Sequence, residues 1–264
     1  MKPKNYKIMF VFVNDRMRTV IPLNISYLSA ALKNDGFSTY VFDTSFFKEH
    51  ERLNEERKKE DAGIFKPVDY STIGVCIKTS SLIDDLLHTI ESESPNLIGF
   101  SVYSQAKSLN IKLAEKIKNG FPNIPIIFGG IHTNIEPERV LSYDFVDYIC
   151  LGEGEEALVE FVNKMYIGES VENVQNIGLR KDGKIIINPC RPPQNLDELP
   201  FLDWECFAPY HQFGPYRGKL LKMALVEGTR TCPYNCTYCE ILSINNIIKI
   251  AGTKSVIGTN HLYA

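Results

Sequence analysis

Residues Ile8 to Val13 read Ile-Met-Phe-Val-Phe-Val, an apolar run with no polar alternation. A strand of that kind is buried on both faces, as happens when helices cover both sides of a parallel sheet. The rest of the N-terminal half supplies those helices. After Pro22, the residues Leu23, Tyr27, Leu28, Ala31 and Leu32 recur at helical spacing until Gly36 stops the helix. Thr39 to Phe42 is a second strand. Further units follow: helix Ser80 to Ile90, strand Leu97 to Val102, helix 105–119, strand Pro125 to Phe128, a short helix near Glu136 to Leu141, strand Val146 to Leu151, and helix Glu155 to Tyr166. Such alternation predicts an α/β fold, a doubly wound parallel sheet with right-handed crossovers. Lys48 to Asp61, dense in charge, reads as a solvated helix or surface excursion.

Ligands of such sheets bind beyond the carboxyl ends of the strands, where the strand order switches. Three strand-to-helix loops are candidates: Ser101-Val102-Tyr103-Ser104-Gln105, Gly129-Gly130-Ile131-His132-Thr133 and Gly152-Glu153-Gly154-Glu155. Their glycines permit close approach that a side chain would block, and helix N-termini favour anionic groups. Glycine is common in such turns, so one loop alone reads equally as a tight turn. Three at one sheet edge make a ligand face.

Beyond this unit, Asp182-Gly183 between β-like runs signals a two-residue hairpin. A proline-rich stretch then leads through Asn195 to Trp204. Lys219 to Val226 reads as a strand that feeds the loop Thr231-Cys232-Pro233-Tyr234-Asn235-Cys236-Thr237-Tyr238-Cys239. Its three thiols, spaced Cys-x3-Cys-x2-Cys, can hold three irons of a cubane cluster and leave a fourth iron open. Zinc is the rival. It normally takes four ligands, and His211, Cys206 or His261 would have to supply the fourth. A disulfide between two of the three would leave one thiol over. The other four cysteines (Cys76, Cys150, Cys190, Cys206) are scattered singly, which fits a metal site in a reducing compartment better than a disulfide scaffold.

The cysteine spacing, with Tyr238 in place, resembles the radical S-adenosylmethionine (radical SAM) enzymes. That resemblance implies a [4Fe–4S] cluster on Cys232, Cys236 and Cys239. The open iron would bind S-adenosylmethionine, with Tyr238 near the adenine, and reductive cleavage would give a 5′-deoxyadenosyl radical. A second resemblance rests on Pro22-Leu23-Asn24-Ile25-Ser26-Tyr27-Leu28, Gly129-Gly130-Ile131-His132-Thr133 and Leu151-Gly152-Glu153-Gly154-Glu155. Together these look like the cobalamin-binding domain that precedes the radical SAM barrel in one large subfamily. It implies that Ser101, Ser104, Gln105, Gly129, Gly130, Thr133, Gly152, Glu153 and Gly154 lie along the corrin face. His132 reads as a hydrogen-bonding residue rather than a cobalt ligand. The region after the first strand, Asn14 to Thr19, has no histidine where an axial Asp-x-His-x-x-Gly loop would put one.

The expected organisation is therefore a flavodoxin-like B12-binding domain at 5–170, a hairpin and linker at 171–218, and the first unit of an incomplete β/α barrel at 219–264. A full barrel needs roughly 150 further residues, so a truncated chain or N-terminal fragment is expected. The function implied is that of a cobalamin-dependent radical SAM enzyme, driving methyl transfer or cyclisation on an unidentified substrate. The alternative is a non-catalytic cobalamin- or nucleotide-binding module. A small-molecule substrate and an electron donor are the expected partners. A net charge of −3 gives no basic field for nucleic acid, and the apolar runs are too short to span a bilayer. Met1-Lys2-Pro3-Lys4 leads into a strand rather than a signal peptide, so a cytoplasmic location is expected.

Overall fold

The computed structural model describes residues 4–52, 62–63, 68–230, 232, 234 and 236–241. Most of the charged segment, residues 53–61, lies outside the described residues apart from its 3-10 start at Lys48–Arg52. So do His261 and the tail from 242 onward.

Strand β1 (Lys7–Phe12) is buried along all but its first residue. Its side chains divide strictly by parity. Ile8, Phe10 and Phe12 join one core cluster, and Met9 and Val11 join the other. That is the two-faced burial the apolar run demanded, since alternate side chains of a strand point to opposite faces. One face is covered by helix α1 (Leu23–Asn34) and the helix Glu155–Ile167. On the other lie α2 (Leu82–Glu93) and α3 (Lys107–Gly120). Helix α2 starts at Ser81, whose hydroxyl accepts the Asp84 N–H, and Asp84 and Asp85 in its first turn suit the positive helix end. Its Leu82, Leu86 and Ile90, one turn apart, form the buried stripe.

Strands β2 (Ser38–Asp43), β3 (Leu97–Ser101), β4 (Ile126–Gly129) and β5 (Tyr148–Cys150) complete a parallel sheet in the order β2-β1-β3-β4-β5. This is the flavodoxin-like order, with its switch point between β1 and β3. After β4 the chain makes two short helices, α4 (Ile131–Ile135) and α5 (Pro137–Leu141), and after β5 it makes α6 (Glu155–Ile167). The sequence pattern marked only the second of the two short helices.

The hairpin assigned to the linker continues the sheet instead. Its strands β6 (Ile177–Lys181) and β7 (Lys184–Ile187) add antiparallel to β5 and make seven strands. Asp182 and Gly183 both have positive φ, as a type I′ turn requires. The following linker folds back on the α/β unit. Asp203 takes Lys33 at 2.6 Å and the Ser29 hydroxyl. The Phe207 ring meets Phe12 edge-on at 5.4 Å, and His211 Nε2 reaches Asp43 at 2.7 Å. Strands β8 (Phe213–Tyr216) and β9 (Lys219–Lys222) then form a separate antiparallel hairpin. The strand expected over Lys219 to Val226 thus stops at Lys222, and Met223 to Val226 are exposed. Among the described residues, no helix is long and apolar enough to cross a membrane.

Candidate functional site

A cavity of about 350 Å³ opens at the carboxyl edge of β3, β4 and β5. It gathers Ser101, Gly129, Gly130, Gly152, Glu153 and Gly154 from the three candidate loops. Gly130 has φ 90° and ψ 178°, and a Cβ there would lie 2.6 Å from both the N and the O of Val102. Only glycine lets this loop cross so close, and the crossing is tied by Val102 N–H to Gly129 O (2.8 Å) and His132 N–H to Val102 O (3.0 Å). Asn134 Oδ1 accepts the Gly152 N–H at 2.8 Å, binding the second loop to the third. Asn24 on α1 donates to the Ser101 hydroxyl.

Three of the expected contacts are not among the cavity-lining residues. Ser104 turns its hydroxyl to His132 Nδ1 (3.1 Å), Gln105 faces Arg16 at the surface, and Thr133 donates to Gly129 O (3.1 Å) within the first turn of α4. His132 is buried and does not line the cavity. Burial, then the Lys107 charge, lowers its pKa and keeps the imidazole neutral.

The rest of the lining is assembled from distant segments, and Phe10, Leu158, Glu227 and Arg230 were not singled out in the sequence. Phe10, Leu28 and Leu158 are its apolar part, and Tyr27, Glu155, Glu227 and Arg230 its polar part. Arg230 reaches Glu155 at 2.7 Å, Glu227 at 3.0 Å and Glu153 at 3.6 Å, and lies over the Tyr27 ring at 5.2 Å. Burial works against the guanidinium charge, but the three carboxylates outweigh it and raise the pKa above its ordinary value. Burial pushes Glu153 up as well, against the Gln194 N–H that donates to it and the Arg230 charge. Cys150, also on the wall, is pushed up to about 12 by burial, then by Glu155, and stays a thiol.

Arg230 stands two residues before Cys232. Of the three loop cysteines, Cys239 is exposed and Cys232 and Cys236 are half-buried. Their donor chemistry suits a cubane cluster. Among the described residues, however, no three His, Cys, Asp or Glu side chains stand together as a metal site. Tyr238 is 88% exposed and is not among the cavity-lining residues. Two candidates for a fourth zinc ligand are committed elsewhere. His211 accepts the Val20 N–H at Nδ1 while Nε2 faces Asp43, and Cys206 donates to Asp203 O (2.9 Å) under a pKa pushed up to about 11 by burial and Asp203.

A family model described as B12 binding domain matches residues 11–162. The uncharacterized methyltransferase PH0819 of Pyrococcus horikoshii is 26% identical over 158 residues, covering 59% of this chain and 34% of that protein. The anaerobic magnesium-protoporphyrin IX monomethyl ester cyclase of Rubrivivax gelatinosus is 26% identical over 208 residues, 74% of this chain and 36% of its own length. The chain therefore spans little more than a third of these curated relatives. The solved structure of the cobalamin-dependent S-adenosylmethionine radical enzyme OxsB, with aqua-cobalamin and S-adenosylmethionine bound, matches over 94% of this chain and 32% of that one. Its TM-score is 0.61 at 19% identity, a likeness of fold.

Proposed function

The chain belongs to the B12-binding domain family, and from that premise we propose that it supplies the cobalamin domain and the cluster loop of a cobalamin-dependent radical SAM enzyme. One observation carries this reading: the glycine-floored cavity is walled by Thr229 and Arg230, the residues that run into the cysteine loop, and by Ile241 just beyond it. Residues on either side of the cysteine motif thus reach the cavity that the glycine loops line.

Bound there, a corrin with a nearby iron–sulfur cluster would supply one-electron chemistry on S-adenosylmethionine and carry a methyl group or assist ring closure. The chain's own residues do the rest. Backbone at Gly129, Gly130, Gly152 and Gly154 lets a flat macrocycle approach the strand ends, and Phe10, Leu28 and Leu158 exclude water from one side. Ser101 and Asn134 offer polar groups to its amide-rich rim. Cys232, Cys236 and Cys239 would hold the cluster, and Ser104, Gln105, Thr133 and Tyr238 would act from outside the cavity wall. In this reading a small molecule is the substrate, an electron donor is the partner, and a reducing cytoplasm keeps the cysteines out of disulfides.

Titration with hydroxocobalamin, followed by absorbance, tests the corrin site. Gly129 is the position to vary, because a Cβ there meets its neighbours only at 3.6–3.9 Å, without the clash found at Gly130. Gly129→Val is expected to keep the fold and weaken cobalamin at least about tenfold, the factor ~1.4 kcal/mol gives. Unchanged affinity would remove the loop from the site. For the cluster, Cys236→Ala should abolish assembly on anaerobic reconstitution with iron and sulfide, since two thiolates cannot hold the cubane. Full iron and sulfide content in that variant would refute the ligand set. A second reading, a cobalamin-binding module without chemistry of its own, is favoured by the separation of the three thiols. EPR of the reduced, reconstituted protein decides between them. A cubane signal that shifts on adding S-adenosylmethionine supports the enzyme, and an unshifted one supports the module.

A further inference from the structure

The charged cage in the cavity wall has a role that neither corrin binding nor cluster binding requires of it, and we propose that Arg230 is the positioning residue that seats the cysteine loop at the cavity mouth. The proposal rests on the reading above for its purpose, in that the seated loop is the cluster loop. Its geometry stands on the cage alone.

From Met223 to Val226 the chain runs exposed and without regular structure. At Arg230 it is anchored. The guanidinium is largely buried and faces two carboxylates of the α/β unit, Glu155 at 2.7 Å and Glu153 at 3.6 Å, besides Glu227 of its own segment at 3.0 Å. It also covers the Tyr27 ring of α1 at 5.2 Å. Past the cysteines the chain is back at the same cavity at Ile241. The loop therefore leaves and rejoins one wall, and the cage fixes the end nearest Cys232. Three carboxylates need a cation that can address several of them at once. The planar fork of arginine does this, and a lysine ammonium, a single point charge, does it only in part. Removing the guanidinium strands buried carboxylates, which expels that end of the loop toward water.

Residue-resolved maleimide labelling of the full, cluster-free chain, followed by mass spectrometry, reads this directly. In the wild type the half-buried Cys232 and Cys236 should react more slowly than the exposed Cys239. R230M is expected to accelerate Cys232 and Cys236 by roughly tenfold or more, equivalent to ~1.4 kcal/mol of lost docking, with Cys239 unchanged. R230K should fall between the two. Loss of a neighbouring cation by itself raises a thiol pKa and slows labelling, so acceleration reports access rather than field. Unchanged amide exchange in the buried strands β1 and β3 shows that the α/β unit remains folded. If that exchange rises in R230M, the comparison moves to R230M/E155Q, which strands less charge, with the same two expectations. Wild-type rates at Cys232 and Cys236 in a variant whose β1 and β3 stay protected would overturn the proposal. Hydroxocobalamin titration of the wild type is scored separately: failure to bind refutes the corrin reading, while the labelling rates still decide the role of Arg230.

Discussion

Gly130 carries the tightest local constraint in the site. Its φ of 90° with ψ of 178° belongs to a region only glycine occupies cheaply, and an added Cβ would overlap the Val102 backbone at 2.6 Å. Gly130→Ala should cost roughly 1–3 kcal/mol, read as a lower urea midpoint, and an unchanged midpoint would contradict the crossing. His132, in the same loop, acts through protonation. Its folded pKa lies below the ordinary 6.5, because burial and then Lys107 disfavour the cation. As pH falls below 6.5 the unfolded chain takes up a proton that the folded chain resists, so stability present above 6.5 is lost on acidification toward the folded value. Replacing His132 with Gln should flatten that slope in denaturation curves between pH 7 and 5 (working limits of about one unit either side of the titration). An equally steep slope in the variant would assign it to other groups.

At the scale of elements, the sequence was most legible where burial is complete. The continuous apolar run read as a strand and the helix read over Ser80 to Ile90 are both found, as β1 and α2. The β8–β9 hairpin was hidden because Pro215 and Gly214 are poor strand residues and its Arg217-Gly218 turn lacks the usual Asn or Asp. The glycine floor of the cavity could be read from strand-to-helix loops, whereas the place of Arg230 could not, since it meets Tyr27 and Glu155 only after folding. The β6–β7 hairpin makes a prediction of its own. Gly178 sits against Ile149 so closely that a Cβ would lie 2.7 Å from Ile149 Cγ1 and 3.2 Å from Leu141. Gly178→Val should therefore prise the hairpin off β5 at a cost of about 1–3 kcal/mol. Amide exchange of β6 and β7 would rise ahead of that of β1 and β3. Uniform exchange across the sheet would argue against a separable hairpin.

Taken as a whole, the molecule is a seven-stranded sheet with its own linker wrapped back across the α1 side. The buried Asp43–His211 pair at 2.7 Å is the clasp. Burial would raise the Asp43 carboxyl, but His211 and the Ser45 hydrogen bonds outweigh it and lower its pKa. His211→Ala would leave that carboxylate buried without its partner, at about 3–5 kcal/mol. Limited proteolysis should then cut between residues 190 and 212, and resistance equal to the wild type would mean the clasp is not what holds the linker. The glycine floor has a different sort of consequence, one that concerns descent rather than stability. Every amino-acid replacement in a surface made of Gly129, Gly130, Gly152 and Gly154 adds atoms, so inherited change there can only narrow the cavity. Widening has to come from shortening large side chains that line the same cavity, such as Phe10, Leu28 and Leu158. Lineages of this chain that came to accept a bulkier ligand should carry their changes on those three side chains, and lineages that lost the ligand should carry theirs on the glycines.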